Sequence, residues 1–158
     1  MVRAFGGVPK ITEPTTDETN NNLPRATTDE IYSLIFEDLK ACESVLPATY
    51  TSANTGRATS GAAKALMAKA YLQKGDYTNT LAKTKEIIAS GTYTLLPYLK
   101  DVFDVTKENG KEHIFSIQFL GGTTEYLGSN ISRNFASRNV EINPNGNGEA
   151  SYSSIAAE

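Results

Sequence analysis

A chain of 158 residues suggests one domain, or one piece of a larger one, and 39% apolar with 21% charged residues is a globular composition. The formal net charge of −3 leaves no basic footprint for nucleic acid or anionic lipid, and no run reaches the roughly 18 apolar residues of a membrane helix. One cysteine excludes an internal disulfide, and one cysteine with one histidine excludes the usual zinc ligand sets.

Met1 to Pro9 has neither the apolar core nor the cleavage site of a secretory signal and reads as the interior of a longer chain. Ser151 to Glu158 stops without a capping signal, so an excised segment is expected. Residues 10 to 26 are rich in Thr, Asn, Pro and acidic groups and read as loop.

A first helix begins after Thr27. Thr27-Thr28-Asp29-Glu30 is a capping box, and the acidic residues sit at the positive end of the helix dipole. Ile31, Leu34, Ile35, Leu39, Cys42, Val45 and Leu46 recur at three- and four-residue steps, and Pro47 ends the helix. After a polar loop, a second helix runs from about Thr59 or Ser60 to Lys74. It is built on Ala62, Ala63, Ala65, Ala68 and Ala70, whose small side chains let a neighbour approach closely. Leu66 is expected in its core beside Met67. Gly75 suits the residue just past a helix end, and Asp76 suits the N-cap of a third helix over about Tyr77 to Ser90. So short a turn makes the two helices antiparallel neighbours.

Beyond Gly91 the pattern changes. Tyr98 to Phe103 predicts one helical turn with Leu99, Val102 and Phe103 inward, and Asn109-Gly110 predicts a turn. Glu112 to Phe119 alternates Phe115, Ile117 and Phe119 and predicts a short strand. From Gly121 onward, Gly, Asn and Ser supply 17 of 38 residues, which predicts a long irregular tail. The fold class is therefore mainly α: antiparallel helical hairpins with a short strand, residues 1–120 helical and 121–158 irregular.

The second helix, Gly75-Asp76-Tyr77 and the third helix resemble a tetratricopeptide repeat. Ala68 and Tyr71 stand at its small and aromatic positions, while Thr80 and Thr84 depart from the usual Ala and aromatic. An ordinary amphipathic hairpin fits the motif equally well. The wider series is more specific. FGGVP (Phe5 to Pro9), PRAT (Pro24 to Thr27), EIYSLIFEDLKACESVLP (Glu30 to Pro47) and GRATSGAAKALMAKAYLQKGDY (Gly56 to Tyr77) come first. IIASGTYTLL (Ile87 to Leu96), DVFD (Asp101 to Asp104) and KEHIFSIQF (Lys111 to Phe119) follow. In order and spacing this resembles the central region of SusD/RagB proteins. The resemblance implies a tetratricopeptide-like scaffold, a cell-surface location in the outer membrane through a lipid anchor absent from this segment, and capture of an oligosaccharide or other nutrient. It also implies a partner, a SusC-type TonB-dependent transporter barrel.

Candidate chemical groups are few. Cys42 lies on the apolar stripe of the first helix and reads as a small core residue. His113 has no second histidine and reads as structural. Asp17/Glu18, Asp29/Glu30 and Glu37/Asp38 fall in a loop, a cap and a solvated helix face rather than across a cleft. No catalytic set or cofactor motif is present, so the expectation is a non-enzymatic protein without cofactors. Sugar recognition favours flat aromatic faces, and tryptophan is absent. Tyr71, Tyr77 and Tyr93 fit the helical core or its turns. Tyr126, Asn130 and Arg133, in the polar tail, are the candidate ligand contacts. The rival reading is a tetratricopeptide adaptor with no role in nutrient uptake.

Overall fold

The computed structural model describes residues 1–14 and 23–118. Its helices are α1 (Val2–Phe5), α2 (Thr28–Val45), α3 (Ser60–Lys74) and α4 (Tyr77–Ala89), with 3-10 turns at Ser52–Asn54, Leu99–Val102 and Val105–Lys107. The chain is mainly α, as the sequence predicts. The described residues divide into two compact units, one drawn from 1–49 and 58–90, the other from 50–57 and 91–118.

In the first unit α2 starts on the expected capping box. The Thr27 amide donates to the Glu30 carboxylate at 2.7 Å, and the Glu30 amide donates to the Thr27 hydroxyl at 3.2 Å. The backbone bond from Thr27, with the hydroxyl bond beside it, holds the Glu30 carboxyl below the usual carboxylate range. Ile31, Tyr32 and Leu39 are the buried residues of α2.

The middle helix, α3, packs against both α2 and α4. That explains its composition: a helix covered on two sides needs small residues on more than one face. Gly61, Ala63, Ala68 and Ala70 are buried, and Met67 at 0% exposure fills the space among them. Leu66, expected in the core, is instead 54% exposed. Its neighbour Met67 points inward, and residues one apart on a helix lie about 100° apart around the axis. Both packed pairs are antiparallel, shown by charge pairs joining opposite ends. Lys74 at the end of α3 meets Asp29 at the start of α2 (3.0 Å), and Lys64 near the start of α3 meets Glu86 near the end of α4 (3.1 Å).

The α3–α4 turn follows from Gly75. Its φ of 81° is left-handed, which lets the Asp76 amide reach the Tyr71 carbonyl (3.0 Å) and its own amide reach Leu72 (3.1 Å). Asp76 then caps α4 by accepting from the Asn79 amide at 3.0 Å, while the Asn79 side-chain amide donates to its other carboxylate oxygen at 2.6 Å. The side-chain bond and then the backbone bond from Asn79 hold the Asp76 carboxyl low.

The N-terminal stretch carries order that the sequence pattern did not announce. After α1, Arg25 donates to the carbonyls of Phe5 (2.5 Å) and Gly7 (2.6 Å), and the Ala26 amide donates to Val8 at 3.0 Å. Pro9 and Arg25 form an isolated antiparallel bridge.

In the second unit the turn near Tyr98 forms at Leu99–Val102, and Asn109 takes a φ of 55° in the expected Asn-Gly turn. Two expectations fail here. Leu99 and Phe103 are exposed rather than inward, with only Val102 part-buried. Residues 112–118 form no strand among the described residues, and Phe115 and Ile117 are exposed. Alternation places side chains on two faces, but a strand exists only with a ladder partner. Here the links are the Thr94 amide to the Lys111 carbonyl (3.0 Å) and the Leu96 amide to the Glu112 carboxylate (2.6 Å).

Candidate functional site

Of the described residues singled out from the sequence, none assembles a reaction centre. Cys42 is half-buried on α2. Asp29 pairs with Lys74, Glu30 serves the cap, and Glu37 and Asp38 are exposed on α2. Asp17, Glu18, Tyr126, Asn130 and Arg133 lie outside the described residues. Nε2 of His113 faces the Val102 carbonyl, an acceptor, at 3.1 Å, and Nδ1 is buried without a partner. The described residues hold no group of His, Cys, Asp and Glu able to bind a metal ion. No helix among them is long and apolar enough to cross a membrane.

The charged groups that do converge are structural. Lys83 on α4 donates to both Glu43 oxygens on α2 at 3.0 Å and to Glu86 at 3.2 Å. Lys64 on α3 completes a four-charge cluster, 3.6 Å from Glu43 and 3.1 Å from Glu86. Partial burial opposes the charge on Lys83, but the Glu43 and Glu86 carboxylates outweigh it and its pKa is raised. Burial likewise opposes ionised Glu86, and Lys64 and Lys83 outweigh it, so its pKa is lowered. The cluster bolts three helices together.

Aromatic rings divide into two sets. Tyr32, Phe36 and Tyr71 stack between α2 and α3, with centroids 6.1 and 4.1 Å apart, and belong to the packing. Tyr98 is 64% exposed, with the Lys100 ammonium 5.8 Å from its ring centroid. From the sequence, Tyr98 only opens a helical turn whose inward residues are Leu99, Val102 and Phe103; Leu95 and Leu99 are exposed beside it. Tyr77, assigned to the core or its turn, is 71% exposed where α4 begins, and Leu81 and Ile88 continue that exposed side of the helix.

Among the described residues, a helical hairpin with a centre built on alanine and exposed aromatic rings makes up a helical scaffold. Residues 1–72 match the family model described as "Starch-binding associating with outer membrane". The chain is 33% identical over 119 residues to a SusD-like protein of Formosa agariphila, covering 75% of this chain and 23% of that one. Among solved structures it resembles a SusD-like protein of Bacteroides fragilis (35% identity, TM-score 0.70, 75% of this chain and 24% of that one). It also resembles a laminarin-binding SusD-like protein (29% identity, TM-score 0.64, 69% of this chain and 25% of that one). Over the matched residues the chain is similar to SusD-like proteins. It spans about a quarter of the length of these relatives, which are described as SusD-like or as binding a glycan.

Proposed function

We propose that this chain is a helical scaffold segment of a glycan-capturing surface lipoprotein that works with a TonB-dependent transporter barrel of the outer membrane. The observation that carries the reading is the match of this chain to SusD-like relatives, one of them a laminarin binder. Residues 1–120 supply the scaffold. Most sugar contacts lie in sequence outside these helices, and within this chain Tyr126, Asn130 and Arg133 of segment 121–158 are the candidate ligand residues. A chimera tests this: residues 1–118 replace the matching segment of the laminarin-binding relative. A folded chimera that keeps laminarin binding within about tenfold, roughly 1.4 kcal/mol, supports a scaffold role. A folded chimera that has lost it refutes the role. Co-purification of the chimera with a neighbouring transporter barrel tests the partnership. The exposed side of α4, carrying Tyr77, Leu81 and Ile88, favours a protein-docking surface. An adaptor without a nutrient role is therefore the second reading, and capture of the barrel without any glycan binding would favour it.

A further inference from the structure

We propose that Tyr98 and Lys100 form an outlying contact for acidic sugars, meaning a pyranose that carries an anionic group. The inference rests on the glycan-binding reading above and narrows it to a charge class. Tyr98 follows Pro97 at the entrance to the Leu99–Val102 turn and presents most of its ring to solvent. A ring face of that kind takes the C–H side of a sugar, because its quadrupole is negative where those hydrogens are slightly positive.

The charge on Lys100 makes the site selective. Its ammonium stands over one face of the ring, 5.8 Å from the centroid and near the outer limit of a cation–π contact, so a charged group at the ring edge can reach it. The neighbouring carboxylates are engaged elsewhere. Lys107 holds Asp101 at 2.8 Å and Asp104 at 3.7 Å, and Asp104 also accepts from the Thr106 amide and hydroxyl at 2.9 and 2.7 Å. No ion pair engages Lys100 among the described residues. A sugar stacked on Tyr98 with an anionic group toward Lys100 therefore gains a charge contact that a neutral sugar lacks.

The whole chain, labelled with 13C in its tyrosine rings, would be titrated by NMR with tetragalacturonate, a sulfated galactan tetrasaccharide, laminaritetraose and tetraglutamate. Both acidic sugars should shift the Tyr98 ring signals at lower concentration than laminaritetraose. The expected ratio is roughly fivefold, which about 1 kcal/mol of exposed ion pairing gives, and it should shrink at high salt. The stronger acidic sugar identifies the preferred group. Lys100→Gln should abolish the preference and keep the neutral-sugar response, while Tyr98→Ala should abolish binding of all three sugars. Both positions are exposed, so the variants should keep the parent's backbone spectrum. Equal responses to acidic and neutral sugars would overturn the charge selectivity and leave the glycan reading standing. Tetraglutamate acting as strongly as tetragalacturonate would show that the surface reads charge alone. No response at Tyr98 to any sugar would overturn the site, without touching a scaffold role that the chimera measures separately.

Discussion

Lys83 on α4 donates to both carboxylate oxygens of Glu43 on α2, 3.0 Å each, across 40 residues of sequence. The helix between them contributes Lys64 to the same cluster, so one charge network joins all three helices. Both ends of the pair are about four-fifths shielded from water, which places it between an exposed ion pair and a buried one. A double-mutant cycle with Glu43→Gln and Lys83→Met should give a coupling energy of about 1 kcal/mol in urea melts, falling in high salt. A coupling of zero would mean that the pair is decorative.

The same cluster sets a pH dependence. The lowered pKa of Glu86 gives stability that is fully present above the unfolded carboxyl value of roughly 4.3 and is lost as pH falls through the lower folded value. Lys83 runs the other way: its contribution is present below roughly 10.4 and is lost as pH rises through the raised folded value. Glu86→Gln should flatten the acid limb of the stability profile and leave the neutral region comparatively level. An acid limb unchanged by that substitution would contradict the assignment.

At Gly75 the backbone needs positive φ, and a Cβ there would meet nothing within 4 Å. The cost of substitution is therefore conformational rather than steric. Gly75→Val should cost about 1–2 kcal/mol and Gly75→Asn less, since Asn tolerates the left-handed region. Thermal melts that place Val at or above Asn would exclude this turn.

Gly7 presents the opposite case. Its φ is ordinary, but a Cβ would overlap the backbone carbonyl of Ala26, which is tied into the same Arg25-anchored strap. Gly7→Ala should cost about 1–3 kcal/mol by overpacking and loosen residues 1–9 from 25–26. Hydrogen exchange at the Ala26 amide, which donates to Val8, would report it; unchanged protection would show that the strap yields freely.

The helix core makes a paired prediction. Met67→Ala should cost about 2–5 kcal/mol and Ala68→Leu about 1–3, whereas Leu66→Ala should stay within about 1 kcal/mol. Urea melts decide it, and a Leu66 loss as large as that of Met67 would reverse the inner and outer faces of α3.

That last contrast shows where sequence legibility stopped. Caps and turns were readable because Thr27, Gly75 and Asp76 each act through local backbone geometry. In α3 the alanines pointed to close packing, but nearly every position was apolar or small. No single stripe distinguished Met67 from Leu66, and burial against two neighbours settled it. Phe115 and Ile117 alternated like a strand, yet a ladder depends on a partner that local sequence does not contain. Tyr98 escaped notice because the pattern of its turn singles out only Leu99, Val102 and Phe103. Arg25 was illegible because its carbonyl partners, Phe5 and Gly7, stand 20 and 18 residues away.

The central claim, that these helices are scaffold in a glycan-capturing protein and not its main sugar site, is tested most directly by calorimetric titration of the chain with neutral oligosaccharides. The laminarin-binding relative serves as positive control. A single exposed tyrosine offers about 1 kcal/mol beyond area burial, against the roughly 8 kcal/mol that micromolar capture requires. The predicted result is no saturable heat from the chain at millimolar neutral sugar, beside clear binding by the relative. Selective micromolar binding by the chain alone would contradict the claim and place a complete sugar site within these 158 residues.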